Sequence, residues 1–374
     1  MVRKMYYENQ NKKRTTFILG IFLLLIILLL IALNLKFEKF DFKTQSNYET
    51  QNLLYETNTV QKEEKYNKIE EASESIVGIS KLKQNGTSVF LNNAETSLGL
   101  GSGVIVTEDG YIVTNQHVVG NKYSNCYVTL ENGENYSGNV VWADTNIDIA
   151  IVKITSAKLK YLPLGDSDSL HLAEDVYAIG NPIGFEFQRT VTKGIISGLN
   201  RTIKIESETE NSYMEDLIQT DATINEGNSG GGLISEHGEL IGINSIKISS
   251  AEGMGFAVPI NIIKPIIEKL ESSGKFEEAY LGIYGYDKEV IPYLNSTLKI
   301  DSGIYVAQIL ADGPLYRSGL QVGDIITRIN EVQIDKMNDL RRYIYTKNPG
   351  ESVNLEVQRN GKNFMISVKL GNKI

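Results

Sequence analysis

The sequence predicts a mainly β chain, with two globular units following one apolar helix. Three observations point there. From about Ser75 the chain is punctuated by glycine and built of short apolar runs with few helical periods. Near Lys275 the composition changes and a second set of short strands begins. Ahead of both, Phe17 to Leu33 is an unbroken apolar run.

Taken in order, residues 1–14 form a polar N-terminus that carries Arg3, Lys4, Lys12, Lys13 and Arg14. The run that follows, placed at 15–35 with its neutral flanks, reaches about 20 residues, enough for a helix to cross a bilayer. A core helix is the alternative, and its terminal position and uniform apolarity speak against it. A cleaved signal peptide is a closer alternative. The run exceeds a usual h-region, and Ala32-Leu33-Asn34-Leu35-Lys36 offers no small-x-small cleavage site, so a retained transmembrane anchor is expected. The basic residues ahead of it keep the N-terminus cytoplasmic and place everything downstream outside the cell membrane. Residues 36–74, rich in Asn, Gln, Glu, Lys and Thr, read as a flexible linker.

The first globular unit, 75–275, holds the stretch with the clearest chemistry, Gly227-Asn228-Ser229-Gly230-Gly231. A serine on a glycine turn can expose its hydroxyl while neighbouring N–H groups converge, the arrangement acyl transfer needs; an ordinary flexible turn has the same composition. A serine needs a base. Of three histidines, His171 and His237 lie in hydrophilic surface segments, whereas His117 follows the apolar run Tyr111-Ile112-Val113 where a strand ends. A structural histidine there is the alternative. Seven aspartates separate His117 from Ser229, and only Asp148 interrupts an apolar run, Ile147-Asp148-Ile149-Ala150-Ile151-Val152. A carboxylate buried there needs a partner, and a histidine N–H suits it; alternation along the run would also let Asp148 point outward. Asp144 reads as a turn residue. The chain order His117, Asp148, Ser229 is that of the chymotrypsin-like double β-barrel and excludes the α/β-hydrolase nucleophile elbow, in which acid and histidine follow the serine. The expected oxyanion cradle is the backbone of Gly227, Asn228 and Ser229, with the Gly227 and Ser229 N–H groups as donors.

Thr114-Asn115-Gln116-His117-Val118-Val119, Asp144 to Ala150, and the serine turn together resemble the HtrA/Deg family of trypsin-like serine proteases. So do Ala178 to Gly184, Thr190 to Ser197, Gln219 to Ala222 and Gly253 to Pro259. The resemblance runs from about Ser75 to the C-terminus. Glu226 and Gly232 depart from it without touching the chemistry, and the extra glycine is expected to loosen the turn by about 1 kcal/mol. The position six residues before the nucleophile, where trypsin-like cleavage after Lys or Arg uses aspartate, is Thr223. The resemblance implies a substrate pocket involving Ile224 and the strand Asn244-Ser245-Ile246-Lys247, favouring small or medium aliphatic residues, with Lys247 at the rim. A peptide substrate would pair with the Ser245–Lys247 strand. Relatives form trimers through the protease domain, and Ile76-Val77-Gly78-Ile79 is an apolar opening segment that such an interface can use.

The second unit, 276–374, opens with Tyr280-Leu281-Gly282-Ile283, which looks like the carboxylate-binding loop of a PDZ domain. Gly303-Ile304-Tyr305-Val306, Gly313-Pro314 and Ser318 to Ile326 match the same module. The helix flanking its groove is expected at Met337–Thr346. Between the units, Ile260–Leu270 reads as a helix packed on the protease body (Ile262, Ile263, Ile266, Ile267, Leu270).

The single Cys126 excludes an intramolecular disulfide, no Cys/His cluster suggests a metal, and no cofactor is expected. A net charge of −9 without a basic stripe argues against nucleic acid. Matches such as Asn135-Tyr136-Ser137 are chance glycosylation patterns in an Asn-rich chain. The expected function is a serine endopeptidase of extracytoplasmic protein quality control, acting on unfolded polypeptides and exposed C-terminal peptides. Two alternatives stand beside it: a signalling protease cutting one membrane partner, and a binding protein of PDZ or chaperone type that does not cut.

Overall fold

A computed structural model of the chain describes residues 17–33, 63–82, 98–181, 189–206, 211–225, 227–247, 253–294 and 297–373. The chain divides into two compact units, Met1–Glu64 and Lys65–Ile374. In the first, residues 17–33 form one helix whose residues are all exposed. At 1.5 Å per residue it is about 26 Å long, and among the described residues no helix is long and apolar enough to cross a membrane. The anchor expected over 15–35 is therefore not established by the described part of the chain.

The flexible linker expected over 36–74 requires correction at its end. Residues 63–73 are helical, and Ile69 and Ala72 are buried in the main hydrophobic core. Lys65 bridges Asp175 and Glu236, both at 2.8 Å. Two apolar residues three apart make a narrow stripe that the polar composition of the segment hides. Residues 36–62 lie outside the described residues.

Two closed six-stranded barrels follow. The first joins β1 (Ile76–Leu82), β2 (Leu98–Ile105), β3 (Tyr111–Thr114), β4 (Asn125–Thr129), β5 (Asn135–Asp144) and β6 (Ile149–Ile154) in the order β1-β2-β3-β6-β5-β4. The second joins β7 (Asp175–Gly180), β8 (Thr190–Glu206), β9 (Asn211–Thr220), β10 (Gly232–Ser235), β11 (Leu240–Lys247) and β12 (Gly255–Pro259) in the order β10-β11-β12-β9-β8-β7. Closure removes free edges, so both barrels can be antiparallel and stable without disulfides. The unbroken apolar run of β6 has a simple cause. Ala150, Val152 and Ile154 fill the first barrel, while Ile149 and Ile151 face the core shared with the second, so both faces are buried. Cys126 is buried in the first barrel, and burial pushes its thiol pKa up to about 11. The opening segment Ile76 to Ile79 is β1 itself, with Ile76, Val77 and Ile79 buried, which corrects its reading as an assembly surface.

Beyond β12 the chain makes a 3-10 turn, Ile260–Ile262, and then the α-helix Lys264–Ser273, which Pro265 starts and left-handed Gly274 ends. Ile266, Ile267 and Leu270 pack on the protease body, as expected. The C-terminal unit has a sheet β14 (Ile283–Tyr286), β15 (Ile304–Ile309), β16 (Ile325–Ile329), β18 (Ser352–Arg359), β19 (Lys362–Lys369), with β17 (Val332–Gln333) paired to β16. A two-stranded ribbon of β13 (Ala279–Tyr280) and β20 (Gly371–Asn372) closes its base. The helix Met337–Tyr345 lies where the sequence places it, its first turn held by Asp339 accepting from the Lys336 N–H at 3.1 Å.

This unit is seated on the barrels through Trp142. The indole stands edge-on to Phe276 and Tyr345, at centroid distances of 6.2 and 5.8 Å, and donates to Glu278 at 2.9 Å. Beside it Tyr345 Oη and Lys373 Nζ both reach Asp144 at 3.3 Å. Asp144 is thus a buried docking residue and not a simple turn residue. Burial alone would raise its pKa, but Lys373 and Arg341 hold it below the usual carboxylate range.

Candidate active site

His117 sits on the one-turn helix Gln116–Val119 that begins where β3 ends. Val118 and Val119 bury into the first barrel, which turns the imidazole outward, 52 % exposed, onto a cleft. Asp148 lies in the turn before β6 and not within the strand, in the left-handed region at φ +53°. Its side chain is only 15 % exposed, so the outward-facing alternative does not hold. The carboxylate accepts three hydrogen bonds: from His117 Nδ1 at 2.8 Å, from the His117 main-chain N–H at 3.0 Å, and from Ser245 Oγ at 2.9 Å. The bond to Nδ1 keeps the proton there and leaves Nε2 as the basic nitrogen. The Asp148 hydrogen bond, opposed by burial, raises the His117 pKa above the ordinary 6.5. His171 and His237 are exposed, as expected.

Ser229 lies on a turn shaped by Gly227 at φ +100° and Gly230 at φ +83°. No side chain fits at Gly230, where a Cβ would stand 2.3 Å from the Ser102 carbonyl oxygen and 2.4 Å from Thr114 Oγ1. The glycines therefore let the loop press against the first barrel, and the loosening expected from them is replaced by close packing. Ser102 pins the turn: its N–H donates to the Ser229 carbonyl at 2.9 Å and its hydroxyl to the Gly227 carbonyl. Asn228 is 4 % exposed and braces the loop, its N–H donating to Asn225 O at 3.1 Å and its amide to Thr223 O at 3.0 Å. Asn228 thus belongs to the cradle as a brace, with its own N–H occupied inside the loop. The Gly227 and Ser229 N–H groups donate to no acceptor among the described residues, which suits them to an oxyanion.

Ser229 Oγ donates to the Ser245 carbonyl at 3.2 Å and makes no hydrogen bond to His117. Ser245 therefore touches both ends of the constellation, its carbonyl accepting from Ser229 and its hydroxyl donating to Asp148. A register shift in β11 between Asn244 and Ile246 re-aims it. His117, Asp148 and Ser229 are thus gathered at one place, with Ser245 and Ser102 as supports that were not assigned these tasks from sequence. Gly101-Ser102-Gly103, a hydroxyl between two glycines, was the available signal for Ser102.

On the substrate side, Thr223 is exposed, while Ile224 is 2 % exposed and belongs to the second-barrel core. Ile224 is thus packed into the core of the second barrel. Ile246 and Lys247 pair with Phe256 and Gly255 through β11, and their side chains lie outside the described residues, as do residues 182–188 and Glu226. In the C-terminal unit, Tyr280 ends β13, Leu281 is buried, the Gly282 carbonyl accepts from Leu310 N–H at 2.9 Å, and Ile283 begins β14. One cleft of about 1670 Å³ runs from His117 and Asp148 past β9 to this loop and to Leu340 and Ile344 of the flanking helix. Among the described residues no group of three or more His, Cys, Asp or Glu side chains is placed to hold a metal ion.

Residues 101–243 match the trypsin-like peptidase domain family and residues 279–370 the PDZ domain family. The chain is 37 % identical over 325 residues to the serine protease Do-like HtrA of Bacillus subtilis, covering 82 % of this chain and 72 % of that one. It is 38 % identical over 322 residues to the serine protease Do-like HtrB of the same organism, covering 81 % and 69 %. Among solved structures, the HtrA-type protease AlgW with a tripeptide aligns at a TM-score of 0.59 and 31 % identity, over 83 % of this chain and 97 % of that one. A serine endoprotease from Yersinia pestis aligns at 0.55 and 30 %, over 83 % and 98 %. A histidine, an acid and a serine gathered between two barrels, followed by a PDZ fold and matched along most of the chain by these enzymes, make it a member of the HtrA family of trypsin-like serine proteases and a serine endopeptidase.

Proposed function

We propose that this endopeptidase cuts unfolded exported proteins through an acyl-enzyme on Ser229. One observation carries the reading: the unbroken path of contacts from Ser229 Oγ through Ser245 and the Asp148 carboxylate to His117 Nδ1. The Ser229 side chain turns about its Cα–Cβ bond, exchanging the Ser245 carbonyl for His117 Nε2. As Oγ attacks the scissile carbonyl carbon, Nε2 takes its proton and Asp148 stabilises the imidazolium. The carbonyl oxygen becomes an oxyanion held by the Gly227 and Ser229 N–H groups, each such donor being worth about a hundred- to a thousandfold in kcat. His117 then protonates the departing amine, and water repeats the sequence in reverse to free the enzyme. Loss of casein cleavage in Ser229→Ala, with casein binding retained, is the expected result; unchanged turnover rejects the assignment.

The PDZ unit captures exposed C-terminal peptides at Tyr280–Ile283, a reading supported by relatives solved with bound tripeptide and decapeptide. Amidating the C-terminus of a test peptide should abolish this capture. The apolar segment 15–35, preceded by basic residues, anchors the chain in the cell membrane with the protease and PDZ domains outside, and the protease domains assemble as trimers. Recovery of the full chain in the soluble fraction after carbonate washing, or a monomer mass by light scattering, would reject the respective statement. A degradation profile that differs in many exported proteins between cells lacking the chain and cells carrying Ser229→Ala supports quality control. A difference in a single membrane protein would instead favour the signalling reading.

A further inference from the structure

We propose that Asn115 is a positioning residue for the acid of this triad: by holding the Asp148 main chain in its left-handed conformation, the Asn115 amide aims the carboxylate at the His117 imidazole. The inference rests on the triad reading above and adds a residue to it. Asn115 is fully buried at the junction of β3 and the His117 turn. Its Nδ2 donates to the Asp148 carbonyl at 2.9 Å, and the Gln116 N–H donates to the same oxygen at 3.2 Å. Asp148 has φ +53°, a left-handed conformation uncommon for residues with a Cβ and less costly for aspartate than for most. The two donors on its carbonyl hold it there. With the main chain so turned, the side chain leaves at the angle that lets one carboxylate meet His117 Nδ1, the His117 N–H and Ser245 Oγ together.

A second observation makes the residue type informative. The other atom of the same amide, Asn115 Oδ1, is buried and has no hydrogen-bond partner. Turning the amide over would not help, because it would set Oδ1 against the Asp148 carbonyl, acceptor against acceptor. A buried orphan acceptor weakens a fold, and a leucine of nearly the same shape would avoid it. Asparagine is therefore a poor choice for stability at this site, and its gain is the bond to Asp148. Asn115 makes no hydrogen bond to His117 or Ser229, so its influence on the chemistry passes through Asp148.

The test is Asn115→Leu in the full chain, which removes the donor and the orphan acceptor together. Three readouts are taken: the thermal midpoint, kcat and KM on a peptide substrate, and the His117 titration by imidazole ¹⁵N NMR. The chain has only three histidines, so exposed His171 and His237 serve as internal references. The expected result is a thermal midpoint equal to or above that of the parent, kcat down at least tenfold, KM within twofold, and a His117 pKa moved down toward 6.5 as the Asp148 contact loosens. A folded variant with kcat and the His117 titration unchanged overturns the proposal, as does a variant that loses stability and activity together while the titration stays in place. Should leucine prevent folding, Asn115→Ala removes the same donor without bulk and is judged by the same titration. Ser229→Ala measured alongside separates the two levels. If that variant still turns over substrate, the triad falls and the positioning role with it; if it is inactive and Asn115→Leu behaves as the parent, only the positioning role falls.

Discussion

Glu215, on β9 beside the PDZ unit, is expected to make the fold less stable as pH rises, and Glu215→Gln should cancel the effect. Its side chain is 4 % exposed, and Oε1 has no hydrogen-bond partner. Arg341 Nη1, from the helix Met337–Tyr345, stands 3.8 Å from Oε2, near enough to attract and too far to donate. Asp287 and Asp216 add negative charge nearby. Burial prevails over Arg341 and pushes the carboxyl from 4.5 up to about 7. A raised folded pKa means that the folded chain binds the proton more tightly than the unfolded chain. The stability this provides is complete below about 4.5, declines as pH rises, and is gone above about 7. At about 1.4 kcal/mol per pH unit the gap is on the order of 3 kcal/mol. Glutamine mimics the protonated form at every pH. In urea unfolding at pH 5, 6, 7 and 8, parent and Glu215→Gln should lie closest at pH 5, and the variant's lead should widen to about pH 7 and then level off. Asp216 and Asp287 also titrate, so the difference between the two proteins, not either curve alone, is the measure. A difference that stays constant from pH 5 to 8, or a variant less stable at pH 8, refutes the argument.

Gly230→Ala should destabilise the chain by at least about 2 kcal/mol and abolish cleavage, because the new Cβ meets backbone and hydroxyl oxygens of the first barrel under a left-handed φ; a wild-type melting curve would contradict the packing described for the nucleophile turn. The kcat/KM of the parent should rise with pH through an apparent pKa above 6.5, since the reaction needs neutral His117 and Asp148 favours its charged form. A rate that falls between pH 6 and 8 would contradict this. Asp148→Asn should lower kcat by about ten-thousandfold by releasing the imidazole to the wrong tautomer; a loss under tenfold would place the acid elsewhere.

The residues of the proposed triad were legible because each sits in a local pattern with its own physical cause. A hydroxyl on a glycine turn, a histidine where an apolar run stops, and an acid inside another apolar run are all visible within a few neighbours. Strand periodicity and the glycine punctuation likewise determined two β-rich units, and the Ser-Gly-Leu-x-x-Gly-Asp stretch marked the second as PDZ. The supports of the site were not legible. Ser102 reaches Gly227 across 125 positions, and Ser245 reaches Asp148 across 97. Nothing near Asp144 in the chain announces Tyr345 and Lys373, and nothing near Ile69 announces the barrel that buries it. Local sequence sets which backbone shapes are cheap and which faces are apolar, so it determines the elements and their chemistry. Which element meets which is decided by the sum of many weak packing contacts over the whole molecule, and only that sum packed Ile224 against the second-barrel core, tied the Asn228 N–H to Asn225, and brought a second serine to Asp148.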